Sequence, residues 1–470
     1  MRLRKTKIIC TIGPASWDKL EQLMQNGMDL ARLNFSHGTH EEKKEQIVNI
    51  RKLSQKLNKH VAVIADLQGP KLRLGTFEGE KSITQGEIVH LALNPVAGEI
   101  PIQFDLSTYV KKGQRIFLND GLVELKVSKL KGKIIEAVAQ NNGWVAANKG
   151  VNIPDTSLGK DTFTEKDYAD AEFALKEGVD FLAMSFVQRA QDLDALKDLI
   201  KKHKSKAKVI AKIEKKEAAE NLKDIILASD GVMVARGDLA IETSAAKVPI
   251  LQQEIISLAR QLRKPVIIAT QMLESMVGNP RPTRAEASDV AYAVFNQVDA
   301  VMLSAESAIG KYPVEAAATM QDIIFSVEEN PDLVHSLNIG WENLDKEELQ
   351  LNALVSSAAS LARNIQSPLI AAATETGKTA RYVSAFRPNA VIVAAVADET
   401  IRNQLMLIWG VHPLIVELSP SSDIYLKRII ETIKKKRLAE KGSKIVMITG
   451  SITGVSGATD TVKIGRICGI

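Results

Sequence analysis

The sequence predicts an α/β protein: a (β/α)8 TIM barrel, interrupted by a β-barrel-like lid domain and followed by a C-terminal α/β domain. Three observations lead there. Eight short apolar runs alternate with amphipathic helical patterns, and strands buried on both faces and separated by helices make a parallel sheet that closes at eight. The residues at the carboxyl ends of these runs are polar, where a barrel gathers its chemistry. Between the third and fourth runs the text changes to Gly-punctuated, period-two alternation, the mark of hairpins.

The eight runs are KIICT (7–11), LARLNFS (30–36), VAVIAD (61–66), FLAMSF (181–186), VIAKIE (209–214), VMVAR (232–236), VIIATQ (266–271) and AVMLSAE (300–306). Thr164 opens a helix that stops at Gly178, and Thr283 with Glu286 forms a capping box before 289–295. Residues 1–70 and 161–335 are therefore assigned to the barrel and 71–160 to the lid. An Asn-Asp-Gly turn at 119–121 marks one lid hairpin, and Gly69-Pro70 is a hinge candidate. Residues 330–350 read as a connecting stretch. Beyond it, in 336–470, helix patterns at 353–366, from Gly377, near 399–409 and up to Lys441 alternate with strands LIAAAT, AVIVAAV, LIVEL and KIVMITG. A mostly parallel sheet is expected.

Composition narrows the function. The chain has 470 residues, too many for one core, with a net charge of +5 and 4% aromatic residues. That mild basic bias suits anionic small molecules. It is far from a nucleic-acid footprint, and the aromatics are too few for base-stacking platforms. Cys10 and Cys468 offer neither a disulfide framework nor zinc spacing, so a reducing cytoplasm is expected. No run is long enough to span a bilayer. The histidines lack metal-ligand spacing, and no Ser-His-Asp set or nucleophile elbow occurs.

The sharpest constellation is Val209–Asp238. Strand alternation puts Ile210, Lys212 and Glu214 on one face, and the next strand brings Arg236 and Asp238 to the same rim. A rim salt bridge would account for Lys212 and Glu214 alone. Two carboxylates beside a fixed cation would also suit Mg2+ and a phosphorylated substrate, and the Gly237 amide opens a helix where anions bind. In ARLNFSHG (31–38), Arg32, Asn34 and Ser36 share a face, a fork for phosphate with oxygen groups beside it. Asp66 ends its strand before the turn that carries Lys71 and Arg73. TETGKTA (374–380) is a partial phosphate loop, with Ala372 where a Walker loop needs Gly. Thr374, Thr376 and Lys378 could seat a phosphate there, facing the loop TGSITGVSGATDT (449–461).

Taken together, ARLNFSHG, the Asp66–Arg73 turn, KIE (212–214), MVARGDL (233–239), ATQMLESM (269–276), PTRAE (282–286) and VMLSAES (301–307) closely resemble the pyruvate kinase family, in order over nearly the whole chain. The resemblance implies phosphoryl transfer from phosphoenolpyruvate to ADP, giving pyruvate and ATP with Mg2+ (Mn2+ as a substitute), a regulatory C-terminal domain and a homotetramer. Carried over by motif, Glu214 and Asp238 are metal ligands and Lys212 stabilises the transferring phosphoryl. Arg32 holds phosphate, and Thr270 with Gly237 and Asp238 lies against the substrate; Thr270, through a water chain, is the candidate for protonating the enolate. Asn34, His37, Arg73 and Lys149 fall to the nucleotide, and Thr374, Thr376, Gly377, Lys378 and Thr379 to a phosphorylated effector. A lyase or mutase on a similar acid, or an inactive sugar-phosphate sensor, fits less well, because neither needs a nucleotide clamp beside an intact Lys212, Glu214, Asp238 and Arg32.

One departure carries a prediction. The commonest family turn reads Asp-Thr-Lys-Gly-Pro-Glu, whereas this one runs Asp66-Leu67-Gln68-Gly69-Pro70-Lys71. The family Glu accompanies a potassium ion near the positions of Asn34, Ser36 and Asp66. An ammonium at position 71 supplies that charge and repels a second cation, so K+ is not expected to be required. Ala240 and Ala305 also replace usual glycines, each adding only a methyl group.

Overall fold

The computed structural model describes residues 3–467 apart from 97, 157–161, 334–340, 342–343, 420 and 451–456. Eight parallel strands close the barrel. They are β1 (Lys7–Ile12), β2 (Met28–Asn34), β3 (Ala62–Asp66), β4 (Phe181–Met184), β5 (Lys208–Ile213), β6 (Gly231–Ala235), β7 (Val266–Ala269) and β8 (Ala300–Leu303). Side chains pointing inward, such as Ile9, Leu30, Ile64, Ile210, Met233 and Ile267, fill the barrel; those on the other faces pack on the helices. Alternation along a strand buried on both sides produces these two cores.

Between β3 and β4 the chain forms a seven-stranded sheet and a two-stranded ribbon, Glu80–Ile83 with Gly143–Ala146. Both contribute to one apolar core around Leu91, Ile116, Leu125 and Ile135, which makes this segment a body of its own. At the 119–121 turn Asn119 and Asp120 adopt φ of 54° and 53°, the left-handed conformation a tight hairpin turn needs. At the lid's root, Asn152 Nδ2 donates to Glu242 Oε1 at 3.2 Å, and Lys215 Nζ lies 2.8 Å from the same oxygen.

The C-terminal domain is a five-stranded sheet in which β9 (Leu369–Ala373), β10 (Val391–Val396), β11 (Val411–Ile415) and β12 (Lys444–Gly450) are parallel and β13 (Thr459–Arg466) is antiparallel. Four sequence expectations shift here. The first helix starts at Lys346, inside the expected connecting stretch, because the Asp345 side chain caps it by accepting from Glu348 N. The third strand runs 411–415 rather than 414–418; it is an edge strand, where Pro413 costs no ladder bond. β13 takes up the end of the stretch expected as the loop 449–461 and continues to Arg466. The helix near 399–409 ends at Leu405, and Met406 and Leu407 leave it to plug the amino end of the barrel beside Phe181 and Ile9. The expected boundary at 335 and Cys468 lie outside the described residues.

Candidate active site

β2 and β3 pair in parallel with Asn34 beside Asp66, which delivers Arg32, Asn34 and Asp66 to one end of the barrel. Asp66 is buried, 1% exposed, and is the hinge of the site. Its Oδ2 accepts from Arg32 Nε at 2.7 Å and its Oδ1 lies 3.1 Å from Lys212 Nζ. Arg32 Nη1 also donates to Thr11 Oγ1 at 3.0 Å. Lys212, from β5, lies 2.9 Å from Glu214 Oε1 and donates to Ser185 Oγ at 2.8 Å. Ser185 in turn donates to Leu67 O at 2.7 Å. Burial works to strip the Lys212 proton, but Asp66 and Glu214 reverse this, with Arg32 opposing, and its pKa ends well above the ordinary lysine value.

Glu214 is equally buried. Its Oε2 accepts from Phe186 N at 2.7 Å. Burial holds its pKa above the usual carboxylate range, Lys212 pulls it down, and nearby Asp238 pushes it up. Asp238 is partly exposed and has no hydrogen bond or ion pair among the described residues. A buried carboxylate destabilised by a second, open one is a pair suited to a cation. Among the described residues no group of three or more His, Cys, Asp or Glu could cage an ion, so Glu214 and Asp238 could hold one only if substrate and water complete the shell. Mg2+ accepts that arrangement.

Two residues expected at this rim are engaged elsewhere. Arg236 turns away from the cleft: Nη1 lies 2.6 Å from Asp289 Oδ2, and Nη2 donates to Thr270 O at 2.7 Å. The carboxylate that takes it, Asp289, comes from the helix 284–295. Accepting this guanidinium accompanies Thr270 and Gln271 in left-handed conformations, φ 67° and 54°. The Gly237 amide donates to Thr270 Oγ1 at 2.9 Å, so it is occupied, while it joins the two residues expected beside the substrate. Glu306, also noted at a strand end, is wholly buried and accepts from Ser304 N and Leu273 N; it is a staple between loops.

The lid closes over these groups. A cleft of about 430 Å³ is lined from the barrel by Arg32, Asn34, Ser36, His37, Asp66, Leu67, Ser185, Lys212, Glu214 and Asp238, and from the lid side by Lys71, Arg73, Asp120, Asn148 and Lys149. Arg73 Nη1 donates to Asn148 O at 3.0 Å, and Lys149 Nζ sits 5.6 Å from the Trp144 ring centre. Lys71 Nζ lies 3.3 Å from Asp120 Oδ1. Burial, then the charges of Arg73, Lys43, Lys71 and Arg32, depress the His37 pKa, so it is neutral at pH 7. Asn34 Oδ1 is taken by Ser36 N at 3.0 Å. Sequence reasoning missed Thr11 and Asp120. The Asn-Asp-Gly turn signalled a hairpin, and its Asp could have been read as a charge aimed back at Lys71.

A second cavity, about 380 Å³, lies in the C-terminal domain. Thr374, Thr376, Lys378 and Thr379 line it opposite Thr449, Gly457 and Thr459, and Thr379 Oγ1 is 3.1 Å from Thr459 Oγ1. Gly377 takes φ 81° to start the helix Lys378–Ala385 and does not line the cavity. Lys378 Nζ is 3.3 Å from Glu348 Oε1. Residues 451–456 of the companion loop lie outside the described residues.

A lidded barrel whose carboxyl end joins a buried lysine, an arginine fork and two carboxylates defines an enzyme acting on anionic, phosphorylated substrates. Residues 3–317 match the family model described as pyruvate kinase, barrel domain, and residues 352–465 the one described as pyruvate kinase, alpha/beta domain. Pyruvate kinases of Staphylococcus aureus strains MRSA252, USA300 and COL are each 41% identical over 473 aligned positions, covering 98% of this chain and 80% of theirs. The chain belongs to the pyruvate kinase family.

Proposed function

We propose that this cleft moves the phosphoryl group of phosphoenolpyruvate to ADP, giving pyruvate and ATP, with a divalent ion, Mg2+ or Mn2+, and without a need for K+. The observation that carries this reading is the shared carboxylate: Asp66 holds Arg32 on one oxygen and faces Lys212 with the other, beneath a lid that brings Arg73 and Lys149 over the same cleft. Arg32 presents its remaining N–H groups to the phosphate. Lys212 is a fixed, permanently charged ammonium placed where charge builds on the transferring group, so no reorganisation is needed as the reaction proceeds. Glu214 and Asp238 would hold the divalent ion, which when bound draws charge from the phosphoryl oxygens. Arg73 and Lys149, with Asn34 and His37 below them, suit the polyphosphate of the nucleotide, and lid closure excludes water. Thr270 Oγ1, beside the Gly237 amide, is the hydroxyl placed to relay a proton to the enolate carbon through water.

Three features support independence from potassium. Both Asp66 oxygens face cations of the chain, Asn34 Oδ1 is engaged by Ser36 N, and the Lys71 ammonium lines the same cleft. For the C-terminal cavity, threonine hydroxyls, Lys378 and the start of a helix suit a phosphorylated effector, whether a sugar monophosphate, a sugar bisphosphate or AMP. The reading includes a homotetramer, from the family resemblance, and a cytoplasmic setting, from the cysteine usage; no helix among the described residues is long and apolar enough to cross a membrane. A coupled assay tests the central claim. Pyruvate should form from phosphoenolpyruvate only when ADP and a divalent ion are both present, and ADP-independent release would overturn it.

A further inference from the structure

Where the barrel meets the C-terminal domain, five cationic side chains line one small cleft. Arg260, Arg263 and Lys264 come from the end of the helix Val248–Gln261 and the turn after it, and Arg381 and Arg387 from the helix Lys378–Ala385 and the turn after it. Asp299 is the only carboxylate among the described residues that line this space, and it is fully used: it accepts from Arg387 Nη2 at 2.8 Å, Val266 N at 3.1 Å and Trp409 N at 3.0 Å.

Two of the remaining cations, Arg381 and Arg260, are poorly satisfied. The Arg381 side chain makes no hydrogen bond or ion pair among the described residues; it feels Asp230 only at a distance, and that carboxylate already serves Val209 N and Lys208. Arg260 is 3% exposed, and its Nε is buried with no hydrogen-bond partner. Its other nitrogens reach neutral oxygens, Asn296 O and Gln297 Oε1. Burial, then the charge of Arg387, lowers the Arg260 pKa to about 9, with Asp299 opposing; Arg263, Lys264 and Arg381 are lowered as well, chiefly by burial. Guanidinium groups held together out of water without a matching anion are unfavourable, and natural structures pair such charges.

We infer that this cleft is an oxyanion site that takes a phosphate group, held between Arg381 of the C-terminal domain and Arg260 of the barrel, and that occupancy ties the two domains together. The enclosed space is about 20 Å³, room for about one water, so the phosphate sits at the open mouth of the cleft, between the guanidinium groups, with any attached organic group pointing outward. The planar N–H forks of arginine match phosphate geometry. Lys378, three residues before Arg381 on one helix, lines the other C-terminal cavity, so the two anion seats share a rigid element.

Thermal melts of the full chain test this, with chloride exchanged for inorganic phosphate, or for glycerol 2-phosphate, at constant ionic strength. Wild type and Lys378→Glu should both gain several degrees from phosphate. Arg381→Met should gain clearly less, and in chloride it should melt at or above the wild-type temperature, because one self-repelling charge is gone. A larger gain from the ester than from inorganic phosphate would identify a monoester as the better occupant. Equal phosphate gains in wild type and Arg381→Met, or no gain in wild type, overturn the inference. If Arg381→Met does not fold, Arg381→Lys, which keeps the charge and loses the fork, should likewise gain clearly less from phosphate than wild type, and an equal gain overturns the inference.

Discussion

Arg32 and Lys212, from strands β2 and β5, are held by opposite oxygens of one buried carboxylate, Asp66 Oδ2 and Oδ1. Neither cation can swing away without leaving the buried carboxylates of Asp66 and its neighbour Glu214 short of positive charge. Position and protonation are therefore set before substrate arrives, the condition under which electrostatic stabilisation is most effective.

Replacing Lys212 with Gln should lower kcat by about a hundredfold or more while changing phosphoenolpyruvate affinity much less, because Arg32 remains. The same change leaves two buried carboxylates facing each other and should cost about 3 kcal/mol of stability. Steady-state kinetics and urea melts read the two effects separately. An unchanged kcat would remove Lys212 from the reaction.

Rates measured in a bulky organic cation should match those in K+ to within about twofold, since the Lys71 ammonium lines the same cleft as Asn34, Ser36 and Asp66. Lys71→Glu should lose activity in the organic cation and regain part of it in K+, because the new carboxylate lies near Asp120 and repels it. A wild-type rate that collapses without K+ would falsify this account of Lys71.

Glu242→Ala should loosen the lid, because it removes the acceptor shared by Asn152 and Lys215. The expected result is a KM for ADP raised about fivefold to tenfold with a smaller change in kcat, and faster amide exchange in residues 72–152. Unaltered exchange would place the hinge elsewhere.

Stability should fall with acid through the histidines. His412, at 3.0 Å from Arg4 O, has its pKa lowered to about 3, chiefly by burial with Lys7 adding to it, and His60 is lowered to about 4 by burial and then Arg402. A base with a depressed folded-state pKa binds its proton more readily when unfolded. The stabilisation is therefore complete above the unfolded value of about 6.5 and declines as pH falls toward the folded values. Each group contributes a slope of about 1.4 kcal/mol per pH unit at most. Urea melts between pH 7 and 4.5 should show a shallower slope for His412→Gln than for wild type.

Lys378→Glu should abolish activation by whichever phosphorylated effector stabilises the wild type in a thermal-shift screen, without changing the rate in its absence. Lys378 lines the C-terminal cavity with Thr374, Thr376 and Thr379 and is far along the chain from the catalytic residues. Retained activation would move the effector to another surface.

Much of this was legible in the residues because it depends on period and local chemistry. Apolar runs buried on two faces have no other use than a parallel sheet, Thr164 and Thr283 make the capping boxes their spacing implies, and strand alternation puts Lys212 on the face of Ile210. Residue type therefore determined the barrel, the inserted lid, the C-terminal α/β domain and the set of polar groups at the carboxyl ends of the strands. Which of those groups face one another is a matter of distance between segments remote in sequence, and only the tertiary structure decided it. It turned Arg236 away to Asp289, spent the Gly237 amide on Thr270, brought Asp120 to Lys71, drew Met406 and Leu407 into the amino end of the barrel and left the Arg381 side chain unpaired. A charge goes to whichever partner the packed core leaves within reach, and no local pattern records where that partner stands.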